Sequence, residues 1–249
     1  MKNRAENSVK SKKSGRLLTA AAVVLFIAGL AVLLYPRFTN WLYNNDVEQQ
    51  MESFDQLIEE EKRSLPSGSA ELPFEELYQE LKRQNEMLFA EKQSGLRDAF
   101  SYSQPAVDLS RYGLEGSVIG FIHIPRMEVT LPILLGANTE NLSLGAAHLT
   151  ETSYPTGGEN TNCVLAGHRG FRRSDMFRHI ERLEIGDEIY IRNFRETLVY
   201  RVAETKVILP DDVHELLIQP GRDLVTLVTC HPYRHNYQRY VVYCERVES

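Results

Sequence analysis

The spacing of apolar residues changes character three times along the chain. Residues 17–35, LLTAAAVVLFIAGLAVLLY, carry no charge. As a helix they would reach roughly 29 Å, about the hydrocarbon thickness of a bilayer. From residue 44 to about 100 the chain is rich in Glu, Gln and Lys, and Val47, Met51, Phe54 and Ile58 recur at spacings that mark one helix face. PSGSAELP at 66–73 interrupts this pattern, after which Phe74, Leu77, Leu81 and Leu88 line one side of a second helix. So narrow a stripe suits a hairpin packed on its own domain; the alternative is a stalk or docking surface for a partner. SYSQPAVDLSRYG at 101–113 reads as a linker.

From about residue 114 the period becomes strand-like. SVIGFIHIP, EVTLPILLG, NCVLAG, EIYIRN, TLVYRVAETKVIL, DLVTLVTC and RYVVYCERV are short runs of β-branched and aromatic residues separated by Gly, Pro, Asn and Asp. Seven or eight such strands, with brief helices at SDMFRHIERL and NTENLSLG, predict a mostly β domain over 114–249, a closed or nearly closed barrel. No internal repeat or low-complexity tract is present.

Charge adds an orientation. The formal net charge is −6 over 249 residues, which gives no reason to expect nucleic acid as a partner. Residues 1–16, however, carry six cations against the single anion Glu6, a net charge of +5, directly before the apolar run. That arrangement predicts a cytoplasmic basic tail at 1–16, a transmembrane anchor at 17–35 and an extracellular remainder after Pro36. The apolar run is longer than a signal-peptide core, and YPRFTNW after it lacks a small-residue cleavage site. Trp41 and Tyr43 suit the outer membrane interface.

Three cysteines are present, so at least one is unpaired within the chain. Cys163 and Cys244 lie inside apolar strands and read as small buried hydrophobes, a disulfide between them being the alternative. Cys230 instead ends the run LVTLVT, where a strand gives way to the polar loop HPYRHNYQ, and its thiol is expected at a barrel rim. His168, in VLAGHRG, follows another apolar strand and sits near glycines that allow close backbone approach. Arg239 reaches the same rim if its segment pairs antiparallel with that of Cys230; on spacing alone it could equally be a surface residue of an edge strand. A thiolate, an acid/base group and a donor for the oxyanion are what nucleophilic catalysis by cysteine needs. Arginine stays charged in such a place, whereas a buried lysine could lose its proton. His231 and His235 are four apart but lie in a Pro-containing loop without a third ligand, so neither a metal nor a cofactor is expected. His123, His179 and His214 read as ordinary strand, helix and loop residues.

LAGHRG, followed some sixty residues later by TLVTC and then by Arg239, resembles the sortases, the membrane-anchored cysteine transpeptidases of Gram-positive bacteria. GFIHIPRMEVTLPIL, GAAHLTETSYPTGGENTNCVLAGHRG and PDDVHELLIQPGRDLVTLVTC are similar to the pilus-building class C branch. The resemblance covers residues 114–247 and implies an eight-stranded sortase barrel. It implies that Cys230 attacks the Thr-Gly carbonyl of an LPXTG-like signal and forms a thioacyl enzyme, with His168 as general acid and base. Arg239 would bind the substrate carbonyl and steady the oxyanion, assisted by the backbone at Thr229 and Cys230. His148 matches a position of the family pattern and is read as structural or near the substrate cleft. The implied partners are surface proteins bearing sorting signals, above all pilins, and an acceptor amine such as a pilin lysine. Three other roles stay open: a sortase that attaches proteins to peptidoglycan precursors, an extracellular cysteine protease, and a tethered binding module using the helices at 44–100. The chain departs from class C twice. Many members carry an Asp-Pro-aromatic lid that plugs the site before the barrel begins, whereas the linker here reads QPAVDLSRYG, which leaves open what covers the cleft. Many also end in a second membrane helix, whereas this sequence ends CERVES, so a single span is expected.

Overall fold

The computed structural model of the chain describes residues 2–66, 71–102, 104, 105, 107–171 and 174–247. Two units are distinguished, Met1–Tyr43 and Asn44–Ser249. Helix α1 (Lys2–Ser64) begins in the first and ends in the second. Within the first unit Val24, Leu25, Phe26 and Leu33 are exposed. Leaving such side chains in water forgoes about 1.5–3 kcal/mol each. The stretch is long and apolar enough to cross a membrane. Pro36 sits within the helix, and Thr39 Oγ1 donates to the Pro36 carbonyl at 3.0 Å.

In the second unit the helical segments lie on a barrel. Val47 and Phe54 of α1 are buried, and the Phe54 ring meets Phe121 edge-on at 5.5 Å. The break at 66–73 falls partly outside the described residues. Helix α2 (Glu75–Ala90) buries Leu77, Tyr78, Leu81 and Asn85 along one side. Tyr78 packs on Phe194, and Asn85 bridges to the loop below, accepting from Tyr154 N–H at 2.7 Å and donating to Thr156 Oγ1 at 3.0 Å.

Eight strands close the barrel: β1 (Val118–Ile124), β2 (Val129–Leu135), β3 (Ala146–His148), β4 (Thr161–Ala166), β5 (Glu188–Asn193), β6 (Thr197–Ile208), β7 (Asp223–His231) and β8 (Gln238–Arg246). Their order around the wall is β1-β2-β3-β4-β7-β8-β6-β5, with β5 returning to β1. The pairs β2–β3 and β4–β7 are parallel and all others antiparallel. NTENLSLG forms the short helix α3 (Thr139–Leu144), capped by the Asn138 side chain accepting from Asn141 N–H. SDMFRHIERL forms no α-helix. Met176 takes a φ of 41°, and the bonds that follow step by three residues, so the segment is a series of turns with one 3₁₀ turn at Ile180–Arg182.

The registers also decide the fate of two cysteines. Cys163 on β4 lies opposite Val225 on β7, which lies opposite Cys244 on β8. Two strand spacings, roughly 10 Å, separate them, beyond the reach of a disulfide. Both are buried and free, and burial pushes both thiols well above the ordinary range. Titration with a thiol reagent is expected to count one reactive group in the folded protein and three after denaturation; two or more in the folded state would contradict this arrangement.

Candidate active site

Strand alternation determines which side chains share a face with Cys230. Val164 and Ala166 of β4, Val228 of β7, and Val241 and Tyr243 of β8 form one buried apolar cluster, on which Leu96 and Ala99 also pack. Ala166 lies opposite Val228, and Val228 opposite Val241. Two residues further along, on the same face, Cys230 lies directly opposite Arg239. Arg239 Nη1 is 3.9 Å from Cys230 Sγ. Because β4 and β7 run in parallel, His168, two residues beyond Ala166, comes level with both. The two chains stay tied past the last strand pair: Gly167 N–H donates to the Val228 carbonyl at 3.1 Å, and Thr229 Oγ1 donates to the Gly167 carbonyl at 2.7 Å. Glycine is needed here, since a Cβ at 167 would lie 2.7 Å from the Phe177 ring.

Residues 98–100 cover this group. The Asp98 carboxylate takes the Arg239 fork, with Nε to Oδ1 at 2.8 Å and Nη2 to Oδ2 at 2.7 Å. The remaining nitrogen, Nη1, donates to the carbonyls of Asn236 and Gln238 at 2.8 and 2.9 Å. Phe100 lies over the guanidinium at 5.0 Å and beside the His168 ring at 6.0 Å, while His168 stacks on Phe171 at 4.8 Å. The cover missing from the linker therefore stands just before it, as Asp98-Ala99-Phe100. Alanine replaces the proline of the Asp-Pro-aromatic pattern, and Ala99 and Leu96 anchor the segment in the apolar cluster.

This covered arrangement disfavours charge on both Cys230 and His168. Burial raises the Cys230 thiol above its ordinary value; Arg239 pulls it down, Asp98 pushes it up and Arg169 pulls it down. Burial lowers His168 below the ordinary imidazole value.

The remaining sequence candidates lie elsewhere or act differently. His148 is 1% exposed, within the barrel wall. Its Nε2 lies 3.2 and 3.1 Å from the carbonyls of Thr152 and Ser153, its ring stacks on Tyr154, and burial lowers its pKa to about 4. The imidazole is thus neutral and held between two carbonyls within the barrel wall. Thr229 is fully buried within β7, opposite Tyr240, and its hydroxyl donates to the Gly167 carbonyl. His231 directs Nδ1 to Arg169 at 2.9 Å, and the His235 ring lies against Tyr237. Asp98, Phe100 and Arg169 were not singled out by the sequence, although each flanks a predicted feature.

Comparison with known proteins agrees with the geometry. The Sortase domain family matches residues 122–247. Sortase D of Bacillus subtilis is 30% identical over 135 residues, covering 53% of this chain and 65% of its own length. Sortase A of Bacillus anthracis is 32% identical over 179 residues, covering 68% of this chain and 83% of its own. Among solved structures, Sortase C1 of group B Streptococcus Pilus Island 1 superposes with a TM-score of 0.67 at 31% identity, over 80% of this chain and 98% of that one. A family match across half the chain, on the residues that build the barrel and align a thiol, an imidazole and a guanidinium, means that this chain belongs to the sortase family of cysteine transpeptidases.

Proposed function

We propose that this sortase is held in the membrane by residues 17–35 with its barrel outside the cell. There it cleaves an LPXTG-like sorting signal between Thr and Gly and transfers the acyl group to an amine, a pilin lysine. The observation that carries this reading is the alignment of Cys230 opposite Arg239, with His168 level with both. The similarity to a sortase of a pilus island supports the choice of acceptor.

In this scheme the Cys230 thiolate adds to the threonine carbonyl. Arg239 and the backbone at Cys230 stabilise the oxyanion. Collapse breaks the Thr–Gly C–N bond, the departing glycine amine takes a proton from His168, and the acyl group stays on sulfur as a thioester. The incoming lysine amine then loses a proton to His168, attacks the thioester and releases the thiolate.

The reactive form is thiolate with imidazolium. The cysteine pKa is raised and that of the histidine lowered, so this pair is a minority at every pH. Thiolate increases as pH rises toward the cysteine value, while imidazolium is lost above the lower histidine value. A bell-shaped kcat/KM profile with its maximum between the two is therefore expected, whereas alkylation of Cys230 should rise with pH through the higher of the two values and not fall again.

The test uses the full chain in detergent, an LPXTG-type peptide and intact-mass spectrometry. The expected result is an acyl adduct on the native protein and none on Cys230→Ala, released faster by a lysine-bearing pilin peptide than by water. Faster release by a peptidoglycan-type amine than by lysine would move the acceptor to the cell wall. Release by water alone would indicate a protease, and an adduct surviving Cys230→Ala would overturn the assignment of the nucleophile.

A further inference from the structure

His168 and Arg169 are neighbours, yet their side chains leave the backbone toward different surroundings. His168 turns to Phe100 and Phe171 at the cleft, whereas Arg169 is 7% exposed and runs beneath the end of β7. Its Nη1 lies 3.4 Å from the Cys230 carbonyl and 2.9 Å from His231 Nδ1, and its Nη2 lies 2.5 Å from Glu181 Oε2. The guanidinium carbon also sits 5.9 Å from the centre of the Tyr240 ring. Glu181 Oε1 is 3.4 Å from His231 Nδ1, which closes a triangle of Arg169, Glu181 and His231. An arginine can only donate, so its contact with His231 uses Nδ1 as the acceptor.

A buried guanidinium is costly unless its donors are used. Here Nη1 is used on the nucleophile's own carbonyl and on the residue after it, and Nη2 on a half-exposed acid from the 3₁₀ turn at Ile180–Arg182, while Nε is buried without a hydrogen-bond partner among the described residues. The cation also lies close enough to Cys230 to favour its thiolate, as Arg239 does from the neighbouring strand.

We propose that Arg169 is a positioning residue for Cys230. Held by Glu181 and His231, it fixes the carbonyl and the strand end that carry the thiol, and it supplies a second positive charge beside the sulfur. This rests on Cys230 being the nucleophile of the reaction above. Arg169 takes no proton and touches no reacting atom; it acts through the backbone and the field at residue 230.

The proposal separates geometry from charge, and two substitutions at one site read them apart. Arg169→Met removes both. It is expected to lower kcat on the order of 10²-fold, as small misplacement of a reacting group does, with KM changed less than twofold. It is also expected to move the midpoint of Cys230 alkylation by iodoacetamide to higher pH. Arg169→Lys keeps the charge but not the fork, so the alkylation midpoint should return toward that of the native protein while kcat stays about tenfold low. Glu181→Ala, at a half-exposed position that tolerates truncation, should lower kcat several-fold by freeing Arg169, and it serves if Arg169→Met does not fold.

Unchanged kcat and an unchanged alkylation midpoint in Arg169→Met, or unchanged kcat in Glu181→Ala where Arg169→Met does not fold, would overturn the proposal. So would a loss of kcat that tracks a lowered Tm and disappears on cooling, with the alkylation midpoint fixed. Alkylation requires no peptide. If the native protein forms no acyl adduct, the transpeptidase reading fails, while the iodoacetamide titration still decides whether Arg169 acts on Cys230.

Discussion

Asp98→Ala is expected to raise kcat/KM toward a sorting-signal peptide by about 10- to 100-fold while lowering Tm. The carboxylate makes two charge-assisted hydrogen bonds to Arg239, with side-chain exposures of 21% and 8%. Bonds to charged groups in partly buried places contribute about 1.5–3 kcal/mol, which corresponds to a 10- to 100-fold change in the population of the open cleft. A peptide that needs the open form gains that factor in apparent affinity. The loss of Asp98 does not strand the guanidinium, because Asn236 and Gln238 still accept from Nη1. Removal of the anion also relieves one of the influences that raise the Cys230 thiol, so alkylation should begin at lower pH. Rising activity with falling stability separates release of a cover from general damage. Steady-state kinetics beside a melting curve measure both, and unchanged or reduced kcat/KM would rule out a closing role for Asp98. Phe100→Ala removes the ring between Arg239 and His168 and should act in the same direction.

What could be read from the sequence, and what could not, follows from the range of the forces involved. The barrel was legible because its strands are apolar runs bounded by turn residues, and Cys230, His168 and Arg239 each stand where such a run meets a polar loop. Strand β3 is only Ala146–His148, too short to show an alternation, and so was not predicted. SDMFRHIERL misled because Met176, Phe177, Ile180 and Leu183 have helical spacing and are all buried, yet successive turns bury them equally well. The cover was missed for two reasons. Ala99 stands where the resemblance supplies a proline, and Asp98 acquires its meaning from an arginine 141 residues away. For His148, whose family position suits either a structural place or one near the cleft, only the fold shows that its ring hydrogen-bonds to carbonyls within the wall. Register carries most of this information. Once β4, β7 and β8 are aligned, three residues scattered over 72 positions fall at one level.

Arg239→Lys is expected to lower kcat/KM by about 10²- to 10³-fold, the cost of losing a fixed oxyanion donor, and to lower Tm as Asp98→Ala does, because the paired bonds to Asp98 are lost in both. In the covered form the arginine divides its donors: Nη1 holds the carbonyls of its own loop, while Nε and Nη2 present a parallel pair that Asp98 fills. That pair is the part a substrate oxygen would inherit when the cover leaves. A lysine has one ammonium, which cannot hold the loop carbonyls and also offer a planar pair. Its charge would remain near Cys230, so alkylation should change much less than turnover. The two substitutions are also coupled. If Asp98 closes the cleft through Arg239, Asp98→Ala should accelerate the native enzyme strongly and the Arg239→Lys enzyme only slightly, because the bidentate latch is already gone. Values of kcat/KM for the four proteins of the cycle measure this. Equal acceleration in both backgrounds would show that Asp98 works independently of the guanidinium, and the joint role of Arg239 as latch and oxyanion donor would fall.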